Sequence, residues 1–142
     1  MGEGFRTFEH TGDLGLDVWA DSPERLHALA AVALHAQIIE VPDAGSAARR
    51  LERRISIEGR DAADLLVHWL NTTLLEAETA AAVWIGAEVQ LLTSRRLEAT
   101  LAGVPRDRAR QVFLREVKAV SHHALELDLT PDACRCRLIL DL

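Results

Sequence analysis

The pattern of apolar residues predicts an α+β domain in which two amphipathic helices pack on a mixed or largely antiparallel β-sheet. Apolar residues recur at helical spacing in two segments, residues 22–38 and 61–77. Strand-like alternation precedes the first helix, separates the two helices, and dominates from residue 82 onward. With 142 residues and no linker, repeat or low-complexity run, residues 1–142 are expected to form a single domain.

Two strands are predicted at the start of the chain, over residues 5–10 and 14–20. In the second strand, apolar residues alternate with polar residues or glycine, which is typical of a strand with one face on a core: Leu14, Leu16, Val18 and Ala20. The segment between them, Glu9-His10-Thr11-Gly12-Asp13, has two interpretations. It is a plain turn in which Gly12 takes a positive φ, or it presents metal-ligating or proton-handling side chains at a strand end.

The first helix is predicted to begin at Ser22-Pro23, because serine is a good N-cap and proline suits the first helical position. One apolar stripe follows at helical spacing: Leu26, Leu29, Ala30, Ala33, Leu34 and Ile38. His27 and His35 lie off this stripe, so both are expected at the surface or boundary of the fold.

Residues 41–48 contain many turn formers and predict a loop. Four arginines follow, before a short alternating strand over residues 55–57: Arg49, Arg50, Arg53 and Arg54. These arginines could bind an acidic partner or RNA, but a charged strand edge that resists aggregation is the favoured interpretation.

The second helix is the clearest element of the sequence. Asp61 is the expected N-cap and Asp64 lies in the first turn, where acidic side chains suit the helix dipole. The apolar stripe persists for four turns: Ala62, Leu65, Leu66, Trp69, Leu70, Thr73, Leu74 and Ala77. Trp69 is therefore expected in the core.

The remainder of the chain predicts strands. A hairpin is expected through Thr93-Ser94, followed by a polar connection, a long bent strand and a last strand: residues 83–92, 95–102, 103–110, 112–129 and 134–142. Cys134 and Cys136 are expected to be buried small hydrophobes, because two cysteines so spaced on a strand make a poor disulfide and only half of a zinc site.

The composition disfavours several classes of protein. Acidic residues outnumber basic ones by 22 to 16, so direct nucleic-acid binding is not expected. No apolar run is long enough to span a bilayer and no signal-peptide pattern is present, which predicts a cytoplasmic protein without a membrane. The chain lacks a glycine-rich phosphate loop, G-x-S-x-G, H-E-x-x-H and paired C-x-x-C motifs, so it does not resemble a self-sufficient enzyme.

Two further segments carry polar residues in apolar surroundings. Lys118 is the only lysine beside fifteen arginines, and it lies with Ser121 and two histidines in an otherwise apolar strand. Asp141 ends the apolar run that begins at Leu138, and burying such an acid is costly unless it is paired or coordinated. Together with the terminal carboxylate of Leu142, its oxygens suit Ca²⁺, Mg²⁺ or Mn²⁺.

Four segments, in this order and at this separation, resemble the archease family: Glu9 to Asp13, Asp61 to Leu66 leading into Trp69-Leu70-Asn71, Val117 to His123, and Ile139 to Leu142. The resemblance covers nearly the whole chain. It implies a small cytoplasmic protein that is not itself an enzyme. Archeases assist the GTP-dependent RNA ligase of the RtcB type in tRNA splicing and RNA repair, by promoting guanylylation of the ligase and its turnover.

The resemblance also implies a site. It assigns a divalent metal to Asp13, Asp141 and Leu142, with Ca²⁺ expected in the isolated protein and Mg²⁺ or Mn²⁺ as alternatives. It assigns a role in ligase activation to Lys118, and His10 is expected to shape the site. The role of Glu9 stays open.

This chain departs from the family pattern at several positions. The family commonly has alanine at Gly12, an acid at Val104, histidine at Gln111 and threonine-tyrosine at Ser121-His122. The changes at Val104 and Gln111 argue against a second polar site in the segment from Gly103 to Gln111.

Two alternatives from other classes remain. One is a stand-alone metal-dependent hydrolase that uses Asp13 and Asp141, with His10 as the base. The other is a general chaperone or protein-interaction module whose carboxylates are structural.

Overall fold

The computed structural model describes residues 2–42, 49–131 and 133–142. The described residues form two helices and nine strands, in the order β1 (Gly4–His10), β2 (Asp13–Ala20), α1 (Pro23–Ala36), β3 (Ile39–Glu40), β4 (Leu51–Glu58), α2 (Ala62–Ala80), β5 (Ala82–Leu92), β6 (Arg96–Pro105), β7 (Val112–Phe113), β8 (Ala119–Thr130) and β9 (Ala133–Asp141). None of the described helices is long and apolar enough to cross a membrane.

The strands form three sheets, and every pair of neighbouring strands is antiparallel. The largest sheet has the order β1-β2-β9-β8, the second has the order β4-β6-β5, and β3 pairs with β7. Each helix contacts both larger sheets. The predicted α+β class is confirmed, with the single expected sheet divided into three.

Both predicted helix starts are confirmed. The Ser22 hydroxyl accepts a hydrogen bond from the Arg25 N–H at 3.1 Å, and Pro23 is the first helical residue. The Asp61 carboxylate accepts from the Asp64 N–H at 2.8 Å. These local hydrogen bonds occupy backbone donors that have no partner within the helix.

Two tryptophans connect the helices and strands of the core. Trp69 is fully buried, as predicted, and its indole N–H donates to the carbonyl of His27 on α1 at 2.9 Å. Trp84 of β5 is also buried and donates to the carbonyl of Thr73 on α2 at 3.1 Å. A buried indole must find such an acceptor, so these bonds fix α1, α2 and β5 relative to one another.

The expectation for His27 and His35 is wrong, because both are buried. The His27 Nδ1 lies 2.7 Å from the carbonyl of Pro23, and the His35 Nε2 lies 3.0 Å from the Thr73 hydroxyl on α2. The prediction assumed one buried face, whereas α1 contacts strands of both larger sheets and α2. Burial lowers the pKa of His27, and it lowers the pKa of His35 to about 3.

The predicted long strand over residues 112–129 is broken. Its first part, β7, pairs with β3, and the N–H of Leu114 then donates to the carbonyl of Ile38 at 2.8 Å. Pairing with β9 begins at Ala119, and its register is irregular between Ser121 and Glu126. The break arises because the backbone of residue 114 is held by Ile38, between α1 and β3, rather than by the large sheet.

Other expectations have clear outcomes. The hairpin through Thr93-Ser94 is confirmed, while Gly103 to Pro105 belong to β6 rather than to the polar connection. Cys134 and Cys136 are buried free thiols. The arginines of β4 lie on an outer strand of the three-stranded sheet, as the charged-edge interpretation requires. Of the predicted loop 41–48, residues 43–48 lie outside the described residues.

Candidate functional site

Asp13 is held at the first position of β2 by a tight turn. Thr11 and Gly12 connect β1 to β2, and Gly12 takes a φ of 77°, a left-handed conformation that favours glycine. His10 and Asp13 are directly paired across this turn, so their side chains lie on the same face of the sheet. The plain-turn interpretation is correct for the backbone, and it leaves the side chains of His10 and Asp13 available.

Asp141 is the last residue of β9, which pairs with β2. The register of these two strands runs to Leu14 opposite Leu140. One further step places Asp13 opposite Asp141, and side chains of directly opposed residues lie about 5 Å apart at Cβ. Leu140 is fully buried, so the two aspartates lie on the other face of the sheet, away from the core.

A partly exposed ion pair supports this register four residue pairs further along the strands. Asp17 and Arg137 are directly opposed and form two hydrogen bonds of 2.7 and 2.9 Å. The Arg137 guanidinium also lies 4.3 Å from the centre of the Phe8 ring. The hydrogen bonds from Arg137 hold the pKa of Asp17 below its ordinary value. A slip of one residue would separate this pair and move Asp141 to the core face.

No cationic side chain in the described part of the chain neutralises the two aspartates. Both are partly buried, and neither carboxylate has a hydrogen bond or ion pair with another described residue. Opposed like charges repel one another across a sheet. A divalent cation between them would remove this repulsion, and hard carboxylate oxygens suit Ca²⁺, Mg²⁺ or Mn²⁺. The donor set therefore fits the metal that the family resemblance implies.

His10 lies beside Asp13 in the same row of the sheet. Its Nδ1 is buried and has no hydrogen-bond partner among the described residues. Its ring packs edge to face with that of His123, with 6.3 Å between the ring centres. His10 is thus a direct neighbour of Asp13, and its role in shaping the site stays a prediction. Glu9 is exposed, and successive strand residues point to opposite faces, so its role stays open.

The described residues contain no group of three or more His, Cys, Asp or Glu side chains that could hold a metal ion. A metal held by Asp13 and Asp141 would therefore need further ligands from Leu142, water or a partner. Leu142 follows Asp141 directly and is 42% exposed. Two carboxylates with open coordination positions are suited to binding a cation that a second molecule also contacts.

Lys118 is attached to this site through its backbone. Its N–H donates to the carbonyl of Asp141 at 2.8 Å, and its side chain is exposed. Lys118 has no salt bridge to another described residue, and it lines a cleft beside α2. The structure thus places Lys118 next to Asp141 in space, although 22 residues separate them in sequence.

The segment from Gly103 to Gln111 has a structural role. Val104 is buried in β6. The Gln111 side chain donates to the carbonyl of Pro105 at 2.9 Å and accepts from the N–H of Asp107 at 3.0 Å, which closes the connection after β6. These contacts use both ends of the amide, so the Gln111 side chain holds the connection closed.

Asn71 on α2 is a positioning residue that the periodicity did not identify. Its amide donates to the carbonyl of Val120 at 3.1 Å and accepts from the Val120 N–H at 2.8 Å. Val120 lies on the outer strand β8, so Asn71 takes the place of a further strand. Its signal in the sequence was a polar amide within the family-like segment Trp69-Leu70-Asn71.

Asn71→Ala is expected to destabilise the fold by about 2 kcal/mol, because it leaves both polar groups of a buried peptide unpaired. Urea unfolding measures this, with Thr79→Ala as the control: Thr79 is exposed on the same helix and hydrogen-bonds only within it. Equal stability of the two variants would contradict the positioning role.

Comparisons with known proteins agree with this architecture. The family model described as Archease protein family (MTH1598/TM1083) matches residues 5–142. Protein archease from Methanopyrus kandleri is 32% identical over 137 residues, which cover 94% of this chain and 96% of that protein. Protein archease from Pyrococcus abyssi is 27% identical over 128 residues, covering 88% of each.

A solved structure matches over the same length. The solution structure of Methanobacterium thermoautotrophicum protein 1598 has a TM-score of 0.69 to this fold at 25% identity, and the match covers 98% of this chain and 99% of that chain. Since the family model, the curated relatives and the solved structure each match nearly the whole chain, this protein belongs to the archease family.

Proposed function

We propose that this protein is a cytoplasmic, non-catalytic activator of a GTP-dependent RNA ligase of the RtcB type, and that it promotes guanylylation and turnover of the ligase in tRNA splicing or RNA repair. Family membership motivates the proposal. The observation that carries it is the β2–β9 register, which opposes Asp13 and Asp141 while neither carboxylate is engaged by another described residue.

Asp13 and Asp141 would hold a divalent ion, with Leu142 contributing a further oxygen. When bound, such an ion supplies positive charge against a triphosphate. The tight turn at Gly12 and the Asp17–Arg137 pair keep the two carboxylates opposed, so the protein presents them without rearrangement. Lys118, fixed to Asp141 through its backbone, would place an ammonium group against the ligase or its nucleotide.

A stand-alone hydrolase fits less well. A catalytic metal is generally fixed by three protein ligands and keeps an open position for water, and the described residues contain no three-ligand cluster. A general chaperone would not need opposed, unpaired carboxylates on the exposed side of a sheet. The activator role uses both features, because an open shell can be completed by a partner.

Asp13→Ala and Asp141→Ala are each expected to reduce stimulation of ligase guanylylation at least about tenfold, as loss of groups that support a metal site generally does. The measurement is the yield of guanylylated ligase with each variant. Glu126→Ala is the matched control, because Glu126 is an exposed acid on the neighbouring strand β8. Stimulation at the wild-type level by both aspartate variants would disprove the proposal.

A second measurement tests the metal site without the ligase. Adding CaCl₂ or MnCl₂ to the chelator-treated wild-type protein should raise its unfolding temperature, since a ligand at 100 times its Kd stabilises the native state by about 2.7 kcal/mol. The Asp13→Ala and Asp141→Ala variants should show no rise, while Glu126→Ala should behave like the wild type. An equal rise in all four proteins would locate metal binding elsewhere.

A further inference from the structure

A cleft of about 990 Å³ lies beside the candidate site, between α2, β7 and the segment that joins β7 to β8. Most of the side chains on its floor are apolar: Ile38, Leu74, Ala77, Ala82, Val83 and Val117. Its volume is at the upper limit for pockets that hold a single small molecule. It is large enough for a segment of polypeptide with several side chains.

Two exposed apolar side chains lie on the rim of the cleft. Leu75 and Phe113 are 64% and 66% exposed, the highest values among the large hydrophobic residues that the structure describes. Leu75 lies off the buried stripe of α2, so packing among the residues that the structure describes does not account for it. Exposed hydrophobic side chains around a concave surface are typical of a site where another protein binds.

Charges around the cleft are only partly neutralised. Arg106 is engaged by Glu78 at 3.2 Å and by the carbonyl of Ala82 at 3.3 Å. Arg108 and Lys118 have no salt bridge to any residue in the described ranges, so two cations remain in a chain whose net charge is −6. They favour an occupant that carries acidic side chains next to its apolar ones. Of the acids that line the cleft, Glu78 is paired with Arg106 and Asp107 with Arg110. Glu116 has no salt bridge to a described residue and offsets one of the two unpaired cations, so one net positive charge remains.

The cleft adjoins the candidate metal site at Lys118. Lys118 lines the cleft, and its N–H is bound to the carbonyl of Asp141. We propose that the cleft receives an apolar segment of the partner ligase that also carries an acidic side chain, which Arg108 and Lys118 bind. This inference rests on the proposed function, and it means that one partner covers both the carboxylates and the cleft.

The test is cross-linking from the rim. Phe113 is replaced by the photoreactive benzoylphenylalanine, and Leu91, 39% exposed on β5 of the three-stranded sheet, is replaced in the same way as the matched control. Irradiation with the ligase should yield a cross-linked heterodimer from position 113 and not from position 91. Equal yields at both positions, or a cross-link only between two copies of this chain, would overturn the proposal.

Affinity gives an independent measurement. Leu75→Ser and Phe113→Ser should each weaken binding to the ligase at least about tenfold, as loss of a central apolar contact does, whereas Leu91→Ser should not. Arg108→Glu should weaken it as well. The rise in unfolding temperature with CaCl₂ should persist in all four variants, because none is a proposed metal ligand.

Stimulation of guanylylation by the wild-type protein, followed in the same samples, separates the two proposals. Stimulation without a cross-link at position 113 and without an effect of Leu75→Ser or Phe113→Ser would overturn the role of the cleft alone. A wild-type protein that neither binds nor stimulates the ligase would overturn the proposed function and the cleft inference together.

Discussion

Replacement of Gly103 by alanine is expected to destabilise the protein by about 3 kcal/mol, which is in the upper range for overpacking a core. A Cβ at this position would lie 2.4 Å from the carbonyl oxygen of Val83 and 2.6 Å from the indole of Trp84. Gly103 is opposite Trp84 in the β5–β6 ladder, and Trp84 is buried. The carbonyl belongs to the backbone, so relief of the contact requires the two strands to move apart.

Gly86→Ala is the matched control for this experiment. Gly86 lies in β5 of the same sheet, and its nearest neighbour to an added Cβ is the Ala102 side chain at 3.8 Å, an ordinary contact. The free energy of unfolding of Gly86→Ala should differ from that of the wild type by less than about 1 kcal/mol. Alanine lowers the conformational entropy of the unfolded chain, which offsets small unfavourable contacts in the folded state. Urea unfolding of both variants provides the comparison, with the midpoint and slope fitted together. Equal midpoints would show that the sheet relaxes around residue 103 without cost.

The helices could be predicted from sequence because their determinants are local. A capping oxygen at Ser22 or Asp61 bonds to an N–H three residues later, so the start of each helix depends on a few adjacent residues. The stripe on α2 correctly placed Trp69 in the core. The alternation of apolar and polar residues identified most strands for the same reason, since this pattern depends only on residues that are adjacent in sequence.

The errors arose where a distant segment determines the local environment. His27 and His35 are polar and lie off the main stripe, yet α1 is covered on a second side by strands from the other sheet. The residues adjacent to His27 and His35 in sequence carry no pattern that indicates this second layer of strands. The break before Ala119 likewise depends on a hydrogen bond from Leu114 to Ile38, a partner 76 positions earlier in the chain.

In the candidate site, too, some features have a local sequence signal and others depend on distant segments. Each of Asp13 and Asp141 could be recognised as an acid at a strand end, but only the family resemblance joined them, since strand pairing between the two ends of a chain has no local signal. The structure adds the register that opposes them. The cleft was not predicted, because the exposure of Leu75 and Phe113 is known only from the structure.

Lowering the pH from 7 to 5 is expected to destabilise the protein by at least about 2 kcal/mol, and buried His35 is the main cause. Its pKa is about 3 in the folded protein, against an ordinary value of 6.5 when the chain is unfolded. Between these values the unfolded chain binds more protons than the folded one, so stability falls as pH falls. The slope approaches about 1.4 kcal/mol per pH unit for one histidine. His27 acts in the same direction, because burial lowers its pKa too.

The window between pH 7 and 5 isolates the histidines from the paired carboxylates. Hydrogen bonds from Arg137 lower the pKa of Asp17, and hydrogen bonds from Arg60 lower the pKa of Asp64 to about 2. The stability that these two carboxylates contribute is therefore lost only as the pH falls below their ordinary pKa near 4. Urea unfolding at pH 7, 6 and 5 measures the slope. His35→Gln should be less stable than the wild type at pH 7 yet lose less stability on acidification. A wild-type protein equally stable at pH 5 and 7 would mean that His35 gains access to solvent in the folded state.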